Sequence, residues 1–292
     1  MQNEQTYHEP ALLTEALEGL AIRPGGAYID CTLGDAGHSA AILAASSPDG
    51  RLLGIDADPE ALAASRHVLR FYGTRAHLIQ SNFASIAEVA RAEGFIPVDG
   101  VLFDLGLSAR QLEVEDRGFS FQRAAPLDMR FTPSEGPTAA DLVGSLSEVE
   151  LTNLIGRLGE EPRARRIARA IIAARPIGDA AHLAEVVRRA SGYRRGRTHP
   201  ATRTFQALRI AVNAELERLE QGLEAALAVL RVGGRLVSIA YHSLEDRILK
   251  NFIRTTDGLD ALNKKVIRPS AAEVARNRRS RSARLRVATK TA

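Results

Sequence analysis

The sequence predicts an α/β protein built on a mostly parallel, doubly wound sheet and interrupted by an inserted all-helical subdomain. Three observations predict it. Short apolar runs alternate with helical patterns over the first hundred residues, which is the signature of strands joined by crossover helices. A tight glycine loop, Gly34-Asp35-Ala36-Gly37-His38-Ser39, follows the first run, and the second run ends on Asp56, 22 positions after Gly34. That spacing is close to the one at which such folds set a glycine loop under a nucleotide-type cofactor and an acid on its ribose. The alternation then stops after Asp104 and resumes only near residue 199, leaving a helical, Arg-rich stretch between.

The elements follow in order. Leu12, Leu13, Ala16, Leu17 and Leu20 share one face of an amphipathic helix after a lead-in from Tyr7. Strands are expected at 27–31, 51–56, 76–80, 98–104 and 234–240, with two more near 264–267 and 284–289. Asp58-Pro59-Glu60 marks a helix start, an N-cap followed by proline at the first helical position. Pro126, Pro133, Gly136 and Pro137 mark irregular connections, and helices follow near 147–158, 160–174 and 179–191. A long helix from about 202 to 230 returns to the sheet through Val232-Gly233-Gly234, a C-cap and turn signal. The expected division is a core of residues 1–109 and 199–292 and a helical substrate-recognition insert of 110–198.

Composition removes several classes. The chain has 292 residues, 45% of them hydrophobic, ample for a core, yet no run of 18 apolar residues. A basic-then-apolar leader is absent from the first residues, so a cytoplasmic protein is expected. The single cysteine, Cys31, excludes an internal disulfide and a cysteine zinc site. The seven histidines show no ligand spacing, and no metal is expected. Net charge is only +4, but residues 263–292 carry ten Lys or Arg against one acid, so the rest of the chain is net acidic. A second basic stretch holds Arg188, Arg189, Arg194, Arg195, Arg197 and Arg203. Such clusters are the footprint of a phosphate backbone, or else a solvated face.

The loop chemistry narrows the ligand. Glycines let backbone N–H groups approach a cofactor, and the following helix points its N-terminus there. The loop reads G-x-A-G-H instead of G-x-G-x-x-G, and Asp30 and Asp35 would repel a pyrophosphate. A cationic ligand such as the sulfonium of S-adenosylmethionine suits them better. An NAD-dependent dehydrogenase is accordingly disfavoured.

Longer motifs add a resemblance. They are Asp104-Leu105-Gly106-Leu107-Ser108-Ala109-Arg110-Gln111-Leu112, Arg117-Gly118-Phe119-Ser120-Phe121, Pro126-Leu127-Asp128-Met129-Arg130, Gly159-Glu160-Glu161, the run His199 to Ile210 (HPATRTFQALRI), and His242-Ser243-Leu244-Glu245-Asp246-Arg247. In that order, from His8 to Lys290, the chain resembles the RsmH (MraW) family. The resemblance implies a class I (Rossmann-like) S-adenosylmethionine-dependent methyltransferase core. It also implies N4-methylation of a cytidine in the decoding region of bacterial 16S ribosomal RNA. Carried over by motif, the cofactor contacts would be Gly34, Ala36, Gly37, His38, Asp56, Phe83, Asp104 and Gln111. The chain departs from the family pattern at Ala36 (usually Gly), Ala109 (usually Ser), Ala240-Tyr241 (Ser-Phe is common) and Pro162 (usually Arg). The Ala36 methyl is expected to crowd the ligand's amino-acid end.

For the reaction, a conjugated cytosine amine is a poor nucleophile. It must be held about 3–3.5 Å from the methyl carbon, with acceptors for its hydrogens. Asp104 and Ser108 are the expected orienting groups, although Ser108 equally suits a helix N-cap with Gln111 three residues on. The target base must leave its stack. His199, Arg203, His242 and Arg247 are expected RNA contacts, with a phosphate grip from Arg194, Arg195, Arg197, Arg278, Arg279 and Arg281. For His242 a helix cap is an equal reading. The expected partner is 16S ribosomal RNA within the small subunit, with no membrane; a homo-oligomer is left open. Two alternatives stand: a ribosome-assembly factor that binds RNA and retains the cofactor fold, and a methyltransferase for another nucleic-acid cytosine.

Overall fold

The computed structural model describes residues 9–113, 117–121, 124–192 and 199–292. Seven strands are present among them: β1 (Ala27–Asp30), β2 (Arg51–Asp56), β3 (Ala76–Gln80), β4 (Val98–Asp104), β5 (Leu230–Ala240), β6 (Leu259–Ala261) and β7 (Arg284–Lys290). They form one sheet in the order β3-β2-β1-β4-β5-β7-β6. β1 pairs in parallel with β2 and β4, β2 with β3, and β4 with β5, while β7 runs antiparallel to β5 and β6. The strand order reverses between β1 and β4, so the crevice beyond their carboxyl ends is the topological switch point.

The chain divides into two compact units. One runs up to Ser108 and resumes over Leu216–Ala292; the other is Ala109–Glu215. In the first, α1 (Leu13–Leu20) precedes β1, and α2 (Gly37–Ala45), α3 (Pro59–Leu69) and α4 (Ile86–Ala92) lie between successive strands. Period-two alternation sends sheet side chains to two cores. Ile29, Leu53, Ile55, Val101, Phe103 and Leu236 face one. Tyr28, Leu52, Leu102, Val237 and Ile239 face the other. Each fully buried aliphatic side chain contributes about 1.5–3 kcal/mol relative to exposure. The α3 start is as expected: the Asp58 side chain accepts the Glu60 N–H and Pro59 opens the helix.

The second unit holds α5 (Ala109–Glu113), α6 (Ala139–Ser145), α7 (Glu148–Leu158), α8 (Ala164–Ala173), α9 (Ala180–Ala190) and α10 (Thr202–Asn213). Reciprocal caps set two starts, Thr138 with Asp141 and Ser147 with Glu150. Ala164, Ile167, Ala168 and Ile171 give α8 a buried stripe at helical spacing. The sequence placed the return to the core at 199, but the unit extends to Glu215 because α10 packs against α6 and α7.

Three expectations are corrected. The single helix from 202 to 230 is two, α10 and α11 (Glu215–Val229), broken where Ala214 turns left-handed at φ 48°. A bidentate Arg209–Glu215 ion pair (2.7 and 2.8 Å) spans the break. Val232-Gly233-Gly234 is not a turn outside the sheet. β5 begins at Leu230, and the residues between the Val98–Leu230 and Gly100–Arg235 pairs form an irregularity that Gly233 permits at φ 79°. The strand near 264–267 reduces to one bridge, Ile267 with Leu285, and the edge strand is β6 instead. Two helices complete the first unit, α12 (Ser243–Thr255) and α13 (Ala271–Arg276). Among the described residues no helix is long and apolar enough to cross a membrane.

Candidate active site

At the switch point β1 and β4 end on Asp30 and Asp104, and β2 ends on Asp56. Between β1 and α2 the loop folds back on itself: the Ala36 N–H donates to the Leu33 carbonyl (2.7 Å), with Gly34 at φ 50° and Ala36 at φ 61°. The Asp56 Oδ2 accepts the Gly34 N–H (2.8 Å) and its Oδ1 the Asp58 N–H (2.9 Å). Ser65 Oγ donates to the Gly34 carbonyl (2.8 Å). The acid thus holds the loop, and each of its oxygens keeps a second lone pair for a hydroxyl donor. Burial pushes the Asp56 carboxyl up to about 6, against the pull of the two N–H donors.

Asp104 is gripped from three sides. Its backbone N–H donates to Thr32 Oγ1 (2.6 Å). Its Oδ2 lies 3.4 Å from His38 Nδ1, and its Oδ1 accepts the Tyr241 hydroxyl at 2.8 Å. The side chain stays 21% exposed, so its remaining lone pairs have room for a ligand. Burial disfavours a charged His38 ring, yet the hydrogen bond and charge of Asp104, with Asp30 behind, raise its pKa above the ordinary value. Asp30 is fully enclosed: Ser39 Oγ donates to it at 2.6 Å and the Thr32 N–H at 3.1 Å. Burial nonetheless pushes the Asp30 carboxyl up. Cys31, next along, is a buried core residue whose thiol burial pushes far up, away from the thiolate.

A strap covers the loop. Ala11 contributes its carbonyl to His38 Nε2 (3.2 Å), and Pro10 lies where a Cβ on Gly37 would come within 2.4 Å of its Cγ. The strap is tied in turn by α13 and the turn after it. Glu273 accepts the Leu12 N–H (2.8 Å), and Asn277 donates to the Glu9 carbonyl (2.8 Å).

A family model for the MraW methylase family matches residues 5–291. The chain belongs to the MraW methylase family. A relative from Thermomicrobium roseum, named ribosomal RNA small subunit methyltransferase H, is 52% identical over 308 residues, covering 98% of this chain and 94% of its own. Another of the same name, from Dehalococcoides mccartyi (strain 195), is 49% identical over 299 residues, covering 96% and 86%. Among solved structures, NSun6 from Pyrococcus horikoshii, solved with SFG, superposes with a TM-score of 0.50 at 13% identity. It covers 100% of this chain and 56% of that one, a likeness of fold.

This MraW-family member is therefore an S-adenosylmethionine-dependent methyltransferase with a class I core. The crevice's chemistry fits the cationic donor: the carboxylates of Asp30, Asp56 and Asp104 border or back the glycine loop. The structure brings together Gly34, Gly37, His38, Asp56, Asp104 and Ser108; a Cβ on Gly34 would lie 3.8 Å from that of Ser108. Phe83 is half-buried, edge-on to Phe103 at 5.7 Å and close against Gly222. Gln111 is buried within the helical unit. Ala36 is fully buried, in the core with Leu33 and Ile42. Thr32 and the Pro10–Ala11 strap escaped the sequence reading, and Tyr241 entered it only as a departure from the family pattern. Their partners are distant in sequence, 72 residues on for Thr32 and 137 back for Tyr241, and no local pattern marks them.

The expected RNA contacts divide. His199 stacks on Phe121 (centroids 4.5 Å apart) and accepts the Ala201 N–H at Nδ1; burial and the Arg188 charge lower its pKa. Arg203 is exposed and donates to the Glu160 carbonyl (3.0 Å). His242 is the N-cap of α12, accepting the Glu245 N–H at 3.3 Å in a reciprocal cap, which is the alternative reading of that residue. Arg247 is exposed on the same helix, Arg278 and Arg281 are exposed, and Arg279 is half-buried. Arg194, Arg195 and Arg197 lie outside the described residues.

Proposed function

We propose that this protein methylates N4 of a cytidine in the decoding region of 16S ribosomal RNA, within the small ribosomal subunit, in the cytoplasm. The observation that carries the reading is the pairing, at one switch point, of a ribose-type carboxylate, Asp56, with an oriented acceptor, Asp104. The names of the relatives point to small-subunit ribosomal RNA. When bound, S-adenosylmethionine supplies the electrophilic methyl group. The residues of the chain bind, orient and exclude water. Asp56 accepts hydroxyls while it holds the Gly34 loop in place. His38, packed under the strap, fixes one oxygen of Asp104. The free lone pairs of Asp104, with the Ser108 hydroxyl near the loop, accept hydrogens of an incoming amine. Those acceptors localise the nitrogen lone pair and offset the positive charge that develops on it.

The basic C-terminal elements and the helical unit are assigned to RNA. The exposed Arg278 and Arg281 suit phosphates, and the stacked His199–Phe121 pair with Arg203 suits bases or backbone. The test is transfer of labelled methyl from S-adenosylmethionine to purified small subunits lacking the modification, followed by nucleoside mass mapping. N4-methylcytidine in the decoding region is the expected product. Label in another nucleoside, or none with tight donor binding, overturns the assignment.

A further inference from the structure

We infer that Tyr241 is a positioning residue for methyl transfer, setting the acceptor geometry of Asp104 from just beyond the end of β5. Three contacts carry it. Its hydroxyl donates to Asp104 Oδ1 at 2.8 Å, on the oxygen that His38 does not face. Its ring closes on Gly106, where a Cβ would come within 3.1 Å of the tyrosine Cδ2. Gly106 sits at φ 106°, a conformation a side chain rarely adopts, so the ring rests directly on the backbone that carries the next carbonyl. The tyrosine is itself anchored: its N–H donates to Glu245 Oε2 (2.9 Å), in the first turn of α12.

A carboxylate with a donor on only one oxygen can rotate about its Cβ–Cγ bond. With His38 on Oδ2 and Tyr241 on Oδ1 its plane is fixed. Burial, then the adjacent Asp104 charge, push the Tyr241 hydroxyl far above its ordinary range, so it remains a donor at any working pH. The remaining lone pairs of Asp104, one on each oxygen, are then held in fixed directions. That matters most when an amine hydrogen must be met in line, because misplacement by a fraction of an ångström is costly in rate.

This inference rests on the reading of Asp104 as an amine acceptor, and the test separates the two. Tyr241→Phe removes the hydroxyl and leaves the ring on Gly106 and the N–H on Glu245. Single-turnover methylation of small subunits should slow about tenfold. The dissociation constant for S-adenosylmethionine by calorimetry, the KM for subunits and the melting temperature should stay within about twofold or a degree or two of wild type. Asp104→Asn should be slower still, and adding Tyr241→Phe to it should change nothing further. Wild-type turnover in Tyr241→Phe with an impaired Asp104→Asn overturns the positioning role alone. Rate losses that multiply in the double variant, or a loss in donor affinity in place of rate, overturn it too. Wild-type turnover in Asp104→Asn instead sinks the acceptor reading, and the positioning role with it.

Discussion

The most informative single residue is Asp56, because folding and the proposed donor binding pull its proton in opposite directions. Its carboxyl is raised to about 6 by burial. A raised carboxyl favours the folded chain in its protonated form, so this group's stabilising contribution is full below the unfolded value near 4 and is lost as pH rises through about 6. In the proposed donor site, ribose hydroxyls would donate to the ionised form of Asp56 and draw the proton off. Donor affinity should therefore be level above pH 7 and fall as pH drops below about 6, by up to tenfold per unit, in calorimetric titrations. Asp56→Asn should weaken the donor ~10–100-fold at pH 7.5, the worth of a charge-assisted hydrogen bond, and its amide nitrogen leaves either the Gly34 or the Asp58 N–H without an acceptor, so the hold on the loop loosens as well. A flat pH response in the wild type would remove Asp56 from the ribose. Ala36 is the second informative residue. Its left-handed backbone (φ 61°) favours glycine, while its buried methyl favours alanine. Ala36→Gly should change stability by less than about 1 kcal/mol and leave donor affinity within twofold, since the methyl faces the core. Tighter donor binding in that variant would place the methyl in the crevice after all.

At the scale of elements, the helix α12 tests the reading of its first residues. His242 accepts the Glu245 N–H, and Glu245, fully enclosed, accepts the backbone N–H groups of Tyr241 (2.9 Å) and His242 (3.3 Å). His242→Ala should cost about 1–2 kcal/mol in denaturant melts, the worth of an N-cap with a buried partner, and the Asn variant should restore much of it. Lost RNA affinity with an unchanged melt would make His242 an RNA contact and not a cap. The five strands from β1 to β5 were legible in the sequence because buried parallel strands read as apolar runs bounded by turn residues. Asp58-Pro59 fixed the start of α3 for the same local reason. The break between α10 and α11 was not legible: Asn213-Ala214-Glu215 contains no glycine or proline, and the turn is held by Arg209–Glu215 and by Asn213, which donates to the Met129 carbonyl. β6 was missed because three residues, Leu259-Asp260-Ala261, carry too little pattern to separate from a loop.

At the scale of the molecule, chain order and spatial order differ, which is why part of the glycine loop's surroundings had to come from the fold. Gly34, Asp56 and Asp104 are legible because each ends or follows a strand. The strap at Glu9–Leu12 is not, since what holds it, Glu273 and Asn277, lies some 260 residues away. Glu273→Ala leaves the Leu12 N–H without its acceptor and should cost about 1–3 kcal/mol. Hydrogen exchange should then quicken at residues 11–13 and in the loop around His38, and unchanged exchange in that loop would show that the strap does not brace it. Charge is distributed on the same scale. The ten cations of residues 263–292 face an otherwise net acidic chain, so the donor and the RNA should respond differently to salt. Counterion release makes RNA affinity fall log-linearly with salt, by about 0.7 in slope for each single-stranded phosphate neutralised, whereas a donor of small net charge releases few ions. Replacing the exposed Arg278 and Arg281 together by alanine should weaken subunit binding at 50–150 mM salt and flatten the slope by roughly 1.4, two phosphates' worth. Donor affinity should stay unchanged across the same series. An unaltered slope in that double variant would move the phosphate grip off the turn that follows α13.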